Sequence, residues 1–361
     1  MTMMSRAILR TTVLSGGPFP TPDPFLFCVY HVDDYPADAS GKMEAPLAGN
    51  GADFDPQNPY RMYHGDKVPG FPAHPHRGFE TVTATVFGLI DHADSVGNAG
   101  RYGDGDVQWM TAGEGVVHGE MFPLVNSDRP NTLKLFQIWL NLPARHKMCS
   151  PSFAMFWNEN IHTWKSDDGN VSVTTWIGDD YFSRTAARMN SPPPNSWAAD
   201  PENDVAIFHI TLRAGGTLTL PKAKKGGVIN RSLYLIEGHK NGVKVDGKNL
   251  SDKVCLDMDA ALDVAIELPP TTSNASDEQK TEFLLLQGRP IREPVAQHGP
   301  FVMNTQSEIK QVFEDYQRTR FGGWPWPRDD MVFPKEKGRF ALIDGVESFP
   351  PSVVDKKEDE L

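Results

Sequence analysis

Two pairs of residues in this sequence have the types and the spacing of metal ligands. His74 and His76 stand two residues apart at the head of residues 73–88, which continue as an alternating run typical of a β-strand. Further along, His118 and Glu120 repeat the same spacing within the short segment GVVHGEM. Residues i and i+2 of a strand project from one face, so each pair can converge on one point. Two such pairs on neighbouring strands would surround a single centre.

The chemistry of these four side chains indicates a divalent transition metal. Three imidazoles and one carboxylate form a mixed nitrogen and oxygen set, which Mg²⁺ and Ca²⁺ do not prefer. No cysteine takes part, so a structural zinc site of the cysteine type is disfavoured. A lone His-x-His pair arises more often by chance on a surface or in a core, but two pairs in strand-like contexts favour a metal site. Four protein ligands also leave positions for water, O₂ or a chelating substrate.

Glu80 is an alternative carboxylate near the first pair. It follows His76 by an even number of residues, so the two side chains could share one face of the strand region. We expect Glu120 to be the ligand, and Glu80 to support the site from outside the ligand set or to serve as a structural partner.

The remaining histidines lack a paired ligand. His64, His92 and His298 each stand without a second ligand at strand spacing, so we expect hydrogen-bonded structural roles for them. The chain also has no G-x-S-x-G nucleophile motif and no phosphate-binding loop of the Walker or dinucleotide type.

Composition and charge exclude several classes of function. The net charge is −12 and no basic stripe is present, so we expect no direct binding to nucleic acid. No apolar run has the length of a membrane-spanning helix, so no membrane partner is expected. The cysteines are too few and too scattered for a disulfide framework, which favours a reducing compartment: Cys28, Cys149 and Cys255.

The two termini bear on localisation. The final residues, EDEL, resemble an endoplasmic reticulum retention signal, but the N-terminus makes a poor signal peptide because Arg10 interrupts its short apolar stretch. We therefore expect a cytoplasmic or nuclear protein, or one found in both compartments, with a disordered acidic tail.

Turn signals and alternating runs predict two β domains, and hence an all-β fold. Many prolines and glycines punctuate the chain at short intervals, which favours short strands over long helices. Thr305 and Glu308 form a capping box ahead of apolar residues at helical spacing, and Gly322 is the expected stop of that helix. The predicted organisation is a first β domain at 22–145, a connector at 146–200, a second β domain at 201–300, a C-terminal helix at 301–322, and an extension with an acidic tail at 323–361.

The two predicted β domains show a weak internal repeat. Residues 74–88 align without gaps on residues 224–238, and each segment ends a β run at a glycine. In this register Lys224 and Gly226 stand opposite the two histidines of the first pair. If the repeat is real, only the first copy retains the histidines.

Three motifs resemble the pirin family of the cupin superfamily. They read HPHRGFETVT, DSVGNAGRYGDGDVQWMTAGEGVVHGEM and GRPIREPVAQHGPFVMNT, and the resemblance spans most of residues 22–322. It implies two cupin-type barrels, each a double-stranded β-helix, packed face to face with a short C-terminal helix. The second barrel would lack metal ligands.

The resemblance also implies the ligands and the metal. The family's ligands fall on His74, His76, His118 and Glu120, and its metal is Fe²⁺, with Mn, Ni, Cu and Zn as other possible ions. The glycine expected before the first pair is displaced, and no asparagine follows His118 at the usual cupin offset. Both departures belong to the pirin variant of the cupin motif.

Two functions follow from the resemblance, and the sequence leaves the choice between them open. Some pirins are similar to quercetin 2,3-dioxygenases, which cleave a small phenolic flavonol with O₂. Glu120 would then be the catalytic residue that takes the hydroxyl proton of the substrate. Others act as iron-dependent, redox-sensing co-regulators of transcription that bind a protein partner. We favour the enzyme.

Overall fold

The fold is built almost entirely of short β-strands. The computed structural model describes residues 7–47, 57–179, 181–182, 191–238, 242–250, 253–270 and 280–352. The first half of the described chain contains strands β1 (Ile8–Val13), β2 (Phe25–Tyr35), β3 (Gly70–His76), β4 (Phe79–Phe87), β5 (Leu89–Asp94), β6 (Ala99–Gly103), β7 (Val107–Thr111), β8 (Val116–Met121), β9 (Asn131–Asn141), β10 (Ser152–Phe156), β11 (Thr163–Lys165) and β12 (Val171–Ile177).

The second half contains more strands and one α-helix. These elements are β13 (Ala206–Leu212), β14 (Thr217–Leu220), β15 (Asn230–Glu237), β16 (Val243–Val245), β17 (Lys248–Leu250), β18 (Val254–Met258), β19 (Val264–Glu267), β20 (Thr281–Gly288), β21 (Ala296–His298), β22 (Phe301–Met303), α1 (Gln306–Thr319), β23 (Phe340–Ile343) and β24 (Val346–Ser348).

The chain divides into two compact units. The first unit contains the described residues within 16–18, 28–160 and 293–361, and the second contains those within 7–15, 19–27 and 161–292. The first unit has sheets ordered β10-β7-β4-β9-β2 and β24-β23-β6-β5-β8-β3. In the second unit the orders are β1-β18-β15-β20-β13-β12-β11 and β14-β19-β16-β17. Each unit therefore pairs two sheets around its own core.

The strand order confirms the internal repeat. Strands β2 to β9 of the first sheets correspond one by one to β13 to β20, because both series give the same neighbours in the same order. The predicted register places β4 on β15, which the structure also makes equivalent. Within the second unit, alternate residues such as Leu233, Leu235 and Leu256 fill an apolar core.

The segment expected to be a connector contains strands. Within 146–200, β10 pairs with β7 in the first unit, and β12 pairs with β13 in the second. The alternating sequence VSVTTWI forms β12, whereas the three prolines that suggested a connector come later, at 192–194. Proline composition thus obscured an alternation that forms a sheet. The domain boundaries given above otherwise remain predictions.

Helix α1 begins at the predicted cap but ends before the predicted stop. The Oγ1 atom of Thr305 accepts a hydrogen bond from the Glu308 amide, and the Glu308 carboxylate accepts one from the Asn304 amide. The helix ends at Thr319, because Arg320 adopts a left-handed backbone with φ of 50°. Left-handed backbone thus begins before Gly322, at a non-glycine residue. Residues 301–303 of the predicted helix instead form β22.

None of the helices in the described part of the chain is long and apolar enough to cross a membrane. The EDEL sequence lies outside the described residues.

An ion pair ties α1 to the segment that carries the first histidine pair. Arg77 Nη1 lies 2.8 Å from Asp315 Oδ2, and both side chains are largely buried. The hydrogen bond from Arg77 lowers the pKa of the Asp315 carboxyl to about 2. A carboxyl whose pKa is lowered on folding stabilises the fold above its unfolded pKa, and loses that contribution as the pH falls through the folded value.

We expect Asp315→Asn to lower the free energy of unfolding by about 1–2 kcal/mol at pH 7, the range of a hydrogen bond to a charged group. The deficit relative to the wild type should shrink as the pH falls below about 4 and disappear near 2. Urea unfolding at pH 7, 5, 4 and 3 measures it. Glu314→Gln, an exposed neighbour on the same helix, is the control. A deficit that stays constant down to pH 3 would contradict this assignment.

Candidate metal centre

Antiparallel pairing of β3 with β8 brings three histidines together. His74 stands directly opposite His118, and an irregularity in the register lies between Phe71 and His74. The potential ligand atoms of His74, His76 and His118 all lie within 4.8 Å of one another. These distances match three side chains that converge on one ion. Two of the imidazoles come from β3 and the third comes from β8.

A glycine allows the chain to turn sharply after the first histidine pair. Gly78 has φ of 86°, and a Cβ atom at this position would lie 1.9 Å from the carbonyl oxygen of Val302. Any other residue would therefore both strain the backbone and clash with β22. The turn leads directly into β4, whose first residue, Phe79, packs its ring against His76 at a centroid distance of 5.0 Å.

Burial keeps the three imidazoles uncharged. It lowers the pKa of His74 to about 4, and nearby His64 and His92 act in the same direction, against a hydrogen bond to Pro72. Burial likewise holds the pKa of His76 and of His118 well below the ordinary value. A metal binds the neutral imidazole, because only that form has a free nitrogen lone pair.

The hydrogen bonds of the imidazoles fit metal binding. His74 Nδ1 lies 2.7 Å from the carbonyl oxygen of Pro72, so this nitrogen must donate and Nε2 retains its lone pair. His118 is fully buried, yet neither of its ring nitrogens has a hydrogen-bond partner among the described residues. Burying a polar atom without a partner costs about 1–3 kcal/mol. An ion bound at His118 would offset that cost, and the residues present therefore fit a metal.

Glu120 lies next to this cluster but does not belong to it. Its carboxylate is outside the group of ligand atoms that lie within 4.8 Å of one another. Thr83 and Tyr102 donate hydrogen bonds to Oε1 at 2.9 and 3.2 Å, and Gln137 donates to Oε2 at 2.8 Å. Burial raises the pKa of Glu120, and these three donors oppose that shift. Oε2 retains a free lone pair, since a carboxylate oxygen has two.

Glu80 lies on the face of β4 opposite to that of Thr83, which contacts Glu120. It accepts a hydrogen bond of 2.7 Å from Thr111 Oγ1 on the neighbouring strand. Strand residues alternate between faces, and the register is regular between Glu80 and Thr83, so these two side chains point in opposite directions. Because Thr83 contacts Glu120, Glu80 faces away from that carboxylate.

His92 lies beside the cluster, which sequence reasoning missed. It stands opposite Glu120 in the β5–β8 pairing, and its ring lies 5.4 Å from that of His118. Its Nδ1 atom has no hydrogen-bond partner in the described part of the chain, while Nε2 lies 3.4 Å from Asp94. One signal was present in the sequence: His92 and Asp94 stand two residues apart, the spacing at which two residues of a strand share a face. By contrast, His298 lies on β21 and packs against Phe313.

The second unit has no ligands at the matching positions. Residues 107–120 align without gaps on residues 255–268, which places Ile266 at the position of His118 and Leu268 at that of Glu120. Both apolar side chains are buried in the core of the second unit. The placement of Lys224 and Gly226 at the positions of the first pair was wrong, because the strand register puts Leu218 and Leu220 of β14 there. Leu218 stands opposite Ile266 as His74 stands opposite His118, and Leu220 stands opposite Val264 as His76 stands opposite Val116. The duplicated fold therefore carries the histidine cluster in its first copy.

Comparisons with known proteins match both units. The Pirin family model matches residues 50–140, and the model of the pirin C-terminal cupin domain matches residues 207–322. A pirin-like protein of Caulobacter vibrioides is 38% identical over 256 residues, which cover 71% of this chain and 82% of that protein. A pirin-like protein of Solanum lycopersicum is 35% identical over 253 residues, covering 70% and 77%.

A solved structure extends this likeness to the fold. The structure of a quercetin 2,3-dioxygenase from Acinetobacter baumannii superimposes with a TM-score of 0.62 at 25% identity, and the match covers 88% of this chain and 96% of that one. The two family models and the similar fold indicate two cupin domains. The family models and the relatives together show that this chain belongs to the pirin family.

Proposed function

We propose that this pirin-family protein is an iron-dependent dioxygenase that acts on a small phenolic substrate of the flavonol type with O₂. The observation that carries the proposal is the cluster of three neutral imidazoles within 4.8 Å of one another. The solved quercetin 2,3-dioxygenase of similar fold supports the substrate class. Imidazole and carboxylate donors suit ferrous iron, and Mn, Ni, Cu and Zn are other ions that such a set accepts.

In this proposal His74, His76 and His118 hold the metal, and Glu120 supplies a fourth ligand through Oε2. When bound, the metal supplies Lewis acidity and a redox centre at which an enol-bearing phenol and O₂ can meet. The protein supplies the orientation of the imidazoles. The carbonyl of Pro72 fixes the ring of His74, and Phe79 and Trp139 pack against the ring of His76.

Glu120 is the proposed proton acceptor for the hydroxyl of the substrate. Its neighbours Thr83, Tyr102 and Gln137 hold the carboxylate in one orientation. The remaining lone pair on Oε2 can hold either the metal or a proton, so Oε2 would leave the metal when it takes the proton. A buried carboxylate binds a proton more readily than an exposed one, which suits a general base that must later release the proton.

We expect His118→Ile to abolish metal binding without destabilising the metal-free protein. Isoleucine occupies the matched position of the second unit, and the substitution removes two buried nitrogens that have no hydrogen-bond partner in the described ranges of the chain. The wild type should gain about 2.7 kcal/mol of stability at a metal concentration 100-fold above Kd, and the variant should gain none. Thermal unfolding with and without metal measures both effects. His298→Ala, which lies outside the cluster, should bind metal like the wild type.

The wild type, loaded with ferrous iron and mixed with quercetin without air, should consume oxygen once air is admitted. Glu120→Gln should lower the rate about 10²–10⁴-fold, the usual contribution of a general base. Glu114→Gln, an exposed residue, is the control. An oxygen electrode and the loss of flavonol absorbance give the readout. No uptake with any tested metal would contradict the enzyme and favour the alternative, an iron-dependent protein-binding co-regulator.

A further inference from the structure

A segment beyond the matched family residues lies against the strands of the histidine cluster. The family model ends at residue 322, and we call residues 323–348 the C-terminal strap. Sequence reasoning gave this extension no role. In the structure its strand β23 pairs with β6 and so joins the sheet β24-β23-β6-β5-β8-β3. That sheet contains β3 and β8, on which all three histidines lie.

The strap is anchored by a buried ion pair. Arg101 and Asp91 face each other across β6 and β5 and form two hydrogen bonds of 2.7 Å, and both are almost fully buried. The pair also binds the strap backbone. Asp91 accepts a hydrogen bond from the Phe333 amide, and Arg101 donates to the carbonyls of Phe333, Pro334 and Lys337. The buried charges of the pair are thus hydrogen-bonded to atoms of the strap.

The anchor lies on the outer face of the ligand sheet. Asp91 neighbours His92 along β5, so the two side chains point to opposite faces. His92 lies beside His118 on the inner face, which places the Asp91–Arg101 pair and the strap outside. Phe333 and Phe340 pack with Ala99 there and add apolar contact. The strap therefore backs the sheet whose inner face carries the cluster.

Two further hydrogen bonds link the strap to the residues around the ligands. The amide of Ala73, which precedes His74 on β3 at the end of the sheet order, donates to the carbonyl of Asp329 at 3.0 Å. The indole Nε1 of Trp326 donates to the carbonyl of Asp94 at 2.8 Å, and Asp94 stands opposite His118. Asp329 of the strap thus contacts the residue next to His74 on β3. Trp326 contacts Asp94 of β5, which pairs with His118 on β8.

We infer that the C-terminal strap positions His74, His76 and His118 for metal binding, through its own residue Trp326 and through Arg101 of β6, which anchors it. Metal sites tolerate little displacement of their ligands, and residues that support ligands from behind typically change metal affinity when they are removed. The edge strand β3 has a partner on one side only, so without Asp329 the backbone around His74 would have fewer constraints. The inference rests on the metal site proposed above.

The test measures cobalt(II) binding by Trp326→Phe and Arg101→Lys, with the full-length chain. Trp326→Phe removes one hydrogen bond, whereas Arg101→Lys keeps the charge beside Asp91 and loses donors to the strap carbonyls. Trp324→Phe is the matched control, because its indole donates to Arg328 within the strap. We expect Kd for cobalt(II) to rise about tenfold in the two test variants and to stay unchanged in the control.

Hydrogen exchange of the metal-free proteins gives a second readout. Peptides that contain Ala73 and residues 116–121 should exchange faster in the two test variants than in the wild type and the control, because the strap constrains these strands. The melting temperature of each metal-free protein separates this local effect from a general loss of stability.

Three results would overturn the inference. Unchanged cobalt affinity and unchanged exchange in both test variants would contradict it while leaving the metal site intact. An equal loss of affinity in Trp324→Phe would show a general effect and not positioning. A wild type that binds no cobalt would contradict the metal site itself, and with it any role of the strap toward a metal.

Discussion

The antiparallel pairing of β3 with β8 brings three uncharged imidazoles together, with His76 and His118 buried and His74 half-buried, and the metal site depends on that arrangement. Desolvation keeps the rings neutral, so they do not repel one another as cations would. The nitrogens of buried His118 have no hydrogen-bond partner within the residues that the structure describes, at a cost to stability. An ion bound to His118 would offset this cost of burying its ring nitrogens.

The two units show how one strand order serves two purposes. Strands β2 to β9 and β13 to β20 have the same neighbours, yet the second unit fills its interior with leucine, isoleucine and phenylalanine. The first unit places His118 and Glu120 where the second has Ile266 and Leu268. Backbone topology therefore does not specify the chemistry, which depends on a few side chains at equivalent positions.

Sequence reasoning predicted the parts of the site that depend on local spacing. Two residues of one strand face the same way, so the convergence of His74, His76 and His118 could be predicted from the chain. The capping box likewise predicted where α1 begins. The placement of Glu120 beside the cluster could not be predicted, because it depends on Thr83, Tyr102 and Gln137 from three other strands. His92 was missed for the same reason, since only the pairing of β5 with β8 brings it near His118.

The strap was the least predictable element. Its prolines and aromatic residues show no period of either a helix or a strand, and the contacts that anchor it to Arg101 are to backbone carbonyls. The Asp91–Arg101 pair that holds it looks in the sequence like two ordinary surface charges. Long-range hydrogen bonds to carbonyl groups leave little trace in residue types, so such a segment becomes interpretable only when the sheet is assembled.

The most direct test of the central claim is X-ray absorption at the zinc edge of the zinc-loaded wild type. The account predicts one zinc per chain with three imidazole nitrogens at about 2.0–2.1 Å, with the remaining positions filled by oxygen. Fewer than three imidazoles, or sulfur in the first coordination sphere, would contradict this expectation, because the three histidines of β3 and β8 would then not hold a common ion.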